Sequence, residues 1–245
     1  MTDQLLEVRD VSVRFGGVTA VDHVSFSVGA GEILGVIGPN GAGKSTLFGA
    51  IVRAVPITGG SVAFDGIDIT GKRPTTVARL GIARTFQKVR LFQSMTVHEN
   101  ILTAAAVRYP GLAAARDKAI EIAEQVGLAN SADRLVTSIP LADRKKVEIA
   151  RALAANPRLL MLDEMMNGLT VAESDSVMSV VEDVRDTGVT VMLVEHVMHV
   201  VRRLSDRLLV LQQGKLIADG APDEVLARPD VREAYLGVVA GEGDA

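Results

Sequence analysis

Gly38-Pro39-Asn40-Gly41-Ala42-Gly43-Lys44-Ser45-Thr46 follows the apolar run Ile33-Leu34-Gly35-Val36-Ile37 and precedes a segment of helical character. The stretch fits G-x-x-x-x-G-K-[ST] in the strand-then-helix setting that this pattern needs. Glycines suit it because backbone N–H groups must wrap phosphate oxygens at close range, where a Cβ at Gly41 or Gly43 would intrude. A helix starting near Ser45 adds its positive end to the same anion site. Lys44 would reach the β- and γ-phosphates, and the Ser45 hydroxyl would ligate Mg²⁺. A plain turn between strand and helix would explain the glycines but not the lysine and the two hydroxyls. The stretch therefore predicts a nucleoside triphosphate site.

The chain has 245 residues, a net charge of -4 and no cysteine. That length suits one large α/β domain, or a core with a smaller subdomain. The acidic balance leaves no electrostatic footprint for nucleic acid. Without thiols, neither disulfides nor thiolate metal sites exist, in keeping with a reducing compartment. No leader pattern and no apolar run near the ~18 residues of a spanning helix is present, so a soluble chain is expected. The mean hydropathy of +0.27 points to extensive buried or partner-facing apolar surface.

Working outward, Leu5-Val8, Val11-Phe15 and Val24-Val28 read as short strands separated by turns at Gly16-Gly17 and Gly29-Ala30-Gly31. They suggest an antiparallel β-portion ahead of the phosphate-binding strand. A helix is expected over Thr46 to Ala54, then a strand and turn through Gly59 to Gly66. From about Thr75 to Leu128 the pattern reads as helical, notably Val97 to Val107 and Leu112 to Val126. Arg144 to Ala155 is an amphipathic helix candidate closed by Asn156-Pro157. Arg158-Leu162 and Val189-Val194 are apolar throughout, as suits a parallel sheet covered on both faces, with a helix over Ala172 to Thr187 between them. Leu208-Gln212 and Lys215-Ala218 flank Gln213-Gly214 as a hairpin, and Gly241 to Ala245 reads as a frayed tail.

Leu159-Leu160-Met161-Leu162 runs into Asp163-Glu164. Ligands of parallel α/β sheets sit outside the carboxyl ends of strands, which would bring both acids beside the phosphate loop. Asp163 would hold Mg²⁺ through water, and Glu164 would orient or deprotonate the attacking water. Two acids after a strand also occur at ordinary helix N-termini, a reading weakened by the phosphate loop upstream.

With these motifs in place, the chain resembles the nucleotide-binding subunit of ABC transporters, from Leu6 to about Gly237. Thr85-Phe86-Gln87 matches the glutamine loop of that family, and Glu195-His196 its switch histidine. The resemblance implies that Gln87 contacts Mg²⁺ and water and relays motion to a membrane partner, and that His196 contacts the γ-phosphate of ATP. It places Phe15 over adenine, where stacking is worth about 1–3 kcal/mol per base in nucleic-acid systems. Each residue also has a plain alternative. Gln87 would pass as a surface polar residue and Phe15 as core, while His196 with His199 is weak evidence of a metal pair. The implied fold is α/β: a P-loop NTPase core with a mostly parallel sheet, an N-terminal antiparallel β-subdomain and an inserted α-helical subdomain. Residues 1–85 and 157–220 would form the core, 86–156 the helical subdomain and 221–245 a helical tail.

Arg79-Leu80-Gly81-Ile82-Ala83-Arg84-Thr85-Phe86-Gln87, then Leu91-Phe92, Met95-Thr96-Val97 and Glu99-Asn100, resembles the ATPases of branched-chain amino acid importers. Val231-Arg232-Glu233-Ala234-Tyr235-Leu236-Gly237 does so too. This implies permease subunits, a second ATPase subunit, an indirect link to a solute-binding protein, and a peripheral place on the cytoplasmic face of the cell membrane. Substrate choice itself rests with other subunits.

Family members work as head-to-tail dimers, with an L-S-G-G-Q signature facing the partner's phosphate loop. Here Ile139-Pro140-Leu141-Ala142-Asp143 stands in its place. Leu141 and Ala142 put Cβ atoms where a phosphate needs close backbone approach, and Asp143 brings a negative charge. Two like charges at ~4 Å cost about 4 kcal/mol at an effective dielectric of ~20. Lys145 and Lys146 would offset part of that, and Asp143 also suits a helix N-cap. Met165 and Thr170 replace a proline and an Asp or Asn that relatives carry after the glutamate. Together these departures predict a heterodimer, in which another subunit donates the working signature. The alternative is an ATP-dependent switch of the same class, although such proteins usually carry tandem modules or coiled-coil insertions. A small kinase would share the phosphate loop only.

Overall fold

The computed structural model describes residues 4–85 and 90–239, with side chains as far as Ala234. In chain order, β1 (Gln4–Phe15) and β2 (Val18–Gly29) precede β3 (Ile33–Ile37), α1 (Lys44–Ile51), β4 (Gly59–Phe64) and β5 (Ile67–Asp68). Next come α2 (Pro74–Leu80), β6 (Ile82–Arg84), α3 (Val97–Arg108), α4 (Leu112–Gln125) and α5 (Leu141–Leu153). After these follow β7 (Leu159–Asp163), α6 (Val171–Asp186), β8 (Thr190–Val194) and α7 (Met198–Leu204). The chain closes with β9 (Arg207–Gln212), β10 (Lys215–Gly220), α8 (Pro222–Ala227) and α9 (Pro229–Val239). Two compact units emerge, one of Met1–Val77 with Thr190–Ala245 and one of Ala78–Val189.

The first unit holds an antiparallel sheet in the order β2-β1-β4-β5 and a run in the order β10-β9-β3-β8. In the latter β3 is parallel to both β8 and β9, and β10 closes as an antiparallel hairpin partner of β9. All five residues of β3 and of β8 are buried, as two-sided coverage of a parallel strand requires. The residues expected to form two strands, Leu5-Val8 and Val11-Phe15, are one strand. The register slips between Val8 and Val11, and Asp10 takes φ 54°. This bulge interrupts the apolar alternation and so looks like a strand end in sequence. Its backbone is satisfied across the pair, where Asp10 N–H donates to Ser25 Oγ at 2.8 Å and His23 N–H to Ser12 Oγ at 3.1 Å.

The second unit carries the parallel pair β6 and β7, with α3, α4, α5 and α6. The helical reading of Thr75 to Leu128 needs one correction, because β6 lies inside it. A strand of three residues is too short to display alternation. Helix α3 starts where its chemistry dictates: Thr96 Oγ1 accepts from Glu99 N–H at 3.1 Å, and Glu99 Oε2 accepts from Thr96 N–H at 2.8 Å. The helix expected from Arg144 begins three residues earlier, at Leu141, so Asp143 lies in its first turn. The N-cap is Pro140, which makes no side-chain cap, and the N-cap reading of Asp143 is thereby corrected. Among the described residues no helix is long and apolar enough to cross a membrane.

The capping box of α3 should be worth about 1 kcal/mol. Thr96→Ala is expected to lose that much in urea denaturation of the full chain, and Thr96→Ser to lose less than half of it.

Candidate functional site

In the first unit the phosphate loop leaves the carboxyl end of β3 and enters α1 through Gly43, at φ 101°. No side chain caps that helix. The glycines meet different demands. A Cβ on Gly43 would lie 2.3 Å from the Ala20 carbonyl oxygen of β2, and one on Gly38 would lie 2.1 Å from that of Leu211 in β9. Gly41, at φ 79°, has open space around the position of a Cβ. Crowding at Gly43 thus comes from the protein's own backbone, beyond any demand a ligand adds. Ala42 is buried, and its C=O accepts from Gly214 N–H at 3.0 Å. Pro39 closes the loop's turn, its C=O accepting from Ala42 N–H at 3.1 Å.

The Lys44 side chain folds back over this loop, with Nζ donating to the carbonyls of Gly38 at 2.7 Å and Pro39 at 3.0 Å. That places its ammonium above the loop rather than in solvent. Asn40 and Ser45 are exposed and Thr46 is partly so. His196 is exposed directly after β8, next to β3 in the sheet, so it and the phosphate loop leave the carboxyl ends of adjacent parallel strands. Phe15 ends β1 at the hairpin tip with 51% of its surface exposed, which rules out the core reading. The same hairpin reaches the loop through Ala20. Among the described residues no three His, Asp or Glu side chains are grouped to hold a metal.

In the second unit Asp163 ends β7 and is buried. Its Oδ2 accepts from Arg84 Nη2 at 2.6 Å, and its backbone N–H donates to Thr85 Oγ1 at 3.3 Å. Oδ1 is buried and has no hydrogen-bond partner among the described residues. One paired and one orphaned oxygen fit a carboxylate that takes a water or cation. Glu164 follows at φ 49°, a left-handed conformation that costs a non-glycine residue about 1–3 kcal/mol and tends to cluster at functional positions. Gln87 lies outside the described residues. Arg84 had no role assigned from sequence, because β6 was not legible as a strand and nothing else placed it beside Asp163.

The altered signature forms the first turn of α5. A Cβ on Gly168 would lie 3.5 Å from Leu141 Cδ2, so this leucine packs beside the loop that follows Glu164. Asp143 Oδ1 is 4.0 Å from Lys146 Nζ, which also donates to Ser176 Oγ at 2.6 Å. The buried Lys145 acts instead on Glu148. Thr170 caps α6: its hydroxyl and N–H bond the Glu173 carboxylate at 2.8 and 2.9 Å, and Glu173 N–H returns to Thr170 Oγ1 at 3.3 Å. Those bonds, from the backbone first, hold the Glu173 carboxyl below its ordinary range. The Thr170 hydroxyl is therefore engaged within its own helix.

Removing one partner of a buried ion pair leaves the other charge uncompensated, at a cost of about 3 kcal/mol or more. Arg84→Met should lose that in denaturant unfolding, and adding Asp163→Asn should recover more than half of it.

Residues 21–167 match the ABC transporter family, and residues 215–241 match the branched-chain amino acid ATP-binding cassette transporter family. The chain is 38% identical to the high-affinity branched-chain amino acid transport ATP-binding protein BraF of Pseudomonas aeruginosa, covering 97% of this chain and 99% of that protein. It is 34% identical to the lipopolysaccharide export system ATP-binding protein LptB of Escherichia coli, covering 95% and 97%. In three dimensions it is similar to the ADP conformation of MJ1267, an ATP-binding cassette of an ABC transporter. The TM-score is 0.87 at 32% identity, over 96% of this chain and 99% of that one. A complete phosphate loop, an acidic strand end and these likenesses along nearly the whole chain lead to one conclusion: the chain belongs to the ATP-hydrolysing subunits of the ABC transporter family, close to the ATPases of branched-chain amino acid importers.

Proposed function

We propose that the chain powers uptake of branched-chain or related amino acids, and that it does so paired with a different ATPase subunit. It would sit on the cytoplasmic face of the membrane against permease subunits, fed indirectly by a solute-binding protein. The match over residues 215–241 supports import over the export system of LptB.

In this reading Lys44 binds the β- and γ-phosphate oxygens of ATP on the loop from Gly38 to Thr46, His196 touches the γ-phosphate and the Phe15 ring covers adenine. Ser45 and the Asp163 carboxylate hold Mg²⁺, which when bound offsets phosphate charge. Gln87 contacts the metal and the water. Glu164 orients that water and accepts its proton, a role worth about 10²–10⁴-fold in rate.

The observation that carries the unequal pairing is the first turn of α5. There Leu141 presents a side chain and Asp143 a carboxylate where the signature offers glycine backbone and an amide. The engaged Thr170 hydroxyl supports the same reading, since it is committed to Glu173. A site on this chain would be completed by the partner's signature, and the opposite site would bind ATP and turn over slowly.

The test is ATP hydrolysis by the mixed pair. Glu164→Gln in this chain should lower turnover about a hundredfold, while the matching substitution in the partner leaves most of it. The reverse pattern would sink the proposed asymmetry.

A further inference from the structure

Lys118, Glu121, Ile122 and Gln125 recur on α4 at the spacing that puts four residues on one helix face. Within the second unit this face forms one wall of a cavity of about 350 Å³. That size falls in the range of small-molecule sites, about 300–1,000 Å³. The other walls come from the turns after α5 and α6, through Asn156 and Arg158 and through Thr187 to Val189. Helices α4, α5 and α6 therefore all bring their carboxyl ends to one place. Each is closed by a residue in the left-handed region: Gly127 at φ 72°, Asn156 at φ 52° and Gly188 at φ 91°. Asn156 N–H donates back to the Leu153 carbonyl at 2.8 Å, and Gly188 N–H to that of Arg185 at 2.8 Å.

The lining offers three kinds of chemistry. Helix carboxyl ends carry partial negative charge, and three of them meet here. Lys118 and Arg158 bring positive charge, with Lys118 Nζ 2.6 Å from the mostly exposed Glu121 carboxylate. Ile122 and Leu153 are buried and Val189 is partly so, which gives the cavity an apolar portion. A bare anion or cation would match only one set of charges, and a wholly apolar molecule would strip water from both. A small zwitterion with a short hydrocarbon body matches all three. The cavity is also remote from the phosphate chemistry. Helix α5 has 13 residues and α6 has 16, so their two ends lie about 20 and 24 Å apart. The opposite ends of these helices carry the altered signature and the Thr170 cap, and Arg158 directly precedes β7, which ends in Asp163.

We propose that this cavity binds a free aliphatic α-amino acid and that the bound ligand slows ATP hydrolysis. Lys118 and Arg158 hold its carboxylate, the helix carboxyl ends its ammonium, and Ile122, Leu153 and Val189 its side chain. The ligand acts through α5, α6 and β7 rather than by touching the reacting groups. The direction of the effect rests on the import reading, under which an amino acid inside the cell is the product of the cycle. The binding site does not rest on it.

Isothermal titration calorimetry of the full chain with L-leucine, 4-methylpentanoate and 3-methylbutylamine tests the site. Leucine should bind with a Kd of about 1 mM or below. The acid lacks the ammonium and the amine lacks the carboxylate, so each should bind at least about tenfold more weakly. Lys118→Gln combined with Arg158→Gln should weaken leucine at least about tenfold and leave the amine within about twofold, a contrast that a collapsed cavity would not give. Saturating leucine should lower MgATP turnover by the chain, with the subunits that co-purify with it, about fivefold. The double variant at the same leucine concentration should keep its own unliganded rate. No heat from leucine up to about 10 mM would overturn the site. So would equal affinities for leucine and 4-methylpentanoate, or leucine binding that ignores the double substitution. Leucine that binds as expected while turnover stays constant or rises would overturn the regulation. Calorimetry on the chain needs no transport, so a failure of the import reading in uptake assays is a separate result.

Discussion

The rest of the structure depends on a steric constraint at Gly43. Its Cα passes so close to β2 that a Cβ would lie 2.3 Å from the Ala20 carbonyl oxygen, and Gly38 is equally confined against Leu211 of β9. The loop between them is wedged from two directions. The turn after β9 completes the wedge, with Gly214 N–H bonded to the Ala42 carbonyl at 3.0 Å and its C=O accepting from Asp22 N–H at 2.8 Å. The antiparallel sheet therefore fixes one wall of the loop and carries Phe15 on the same hairpin. Lys44 completes the arrangement from inside by bonding the loop's own carbonyls.

The second unit carries electrostatic and conformational costs of its own. Asp163 is buried with one oxygen paired to Arg84 and the other without a partner among the described residues. Glu164 sits in a left-handed conformation, and Glu148 keeps a desolvated carboxyl on α5. Each would be simpler to build from neutral or apolar groups if stability were the only requirement.

Much of this was legible in the residues themselves. The phosphate loop announces itself because its glycines, lysine and hydroxyls occur at fixed spacing, and β3, β7 and β8 show as apolar runs because both their faces are covered. Legibility failed where a feature depends on a long-range partner. Arg84 gains its role only from the pairing of β6 with β7, and a three-residue strand leaves no periodic trace. The bulge at Asp10 broke one strand into two on paper. Asp143 has the chemistry of an N-cap, yet α5 starts at Leu141, so its carboxylate faces Lys146 instead. The subgroup residues Thr96, Glu99 and Asn100 were legible as kinship, and the structure gives them physical work: a capping box and a main-chain clamp on Phe92.

The proposed unequal pairing sets a complete nucleotide loop against a signature that would serve poorly on the same chain. The most direct measurement is ATP turnover by this chain alone, compared with the variant carrying Leu141→Gly, Ala142→Gly and Asp143→Gln together. If the altered signature is what limits a pair of identical chains, the triple variant should hydrolyse ATP at least about tenfold faster than wild type, a barrier change of about 1.4 kcal/mol. Equal rates, with ATP binding intact in both, would contradict it.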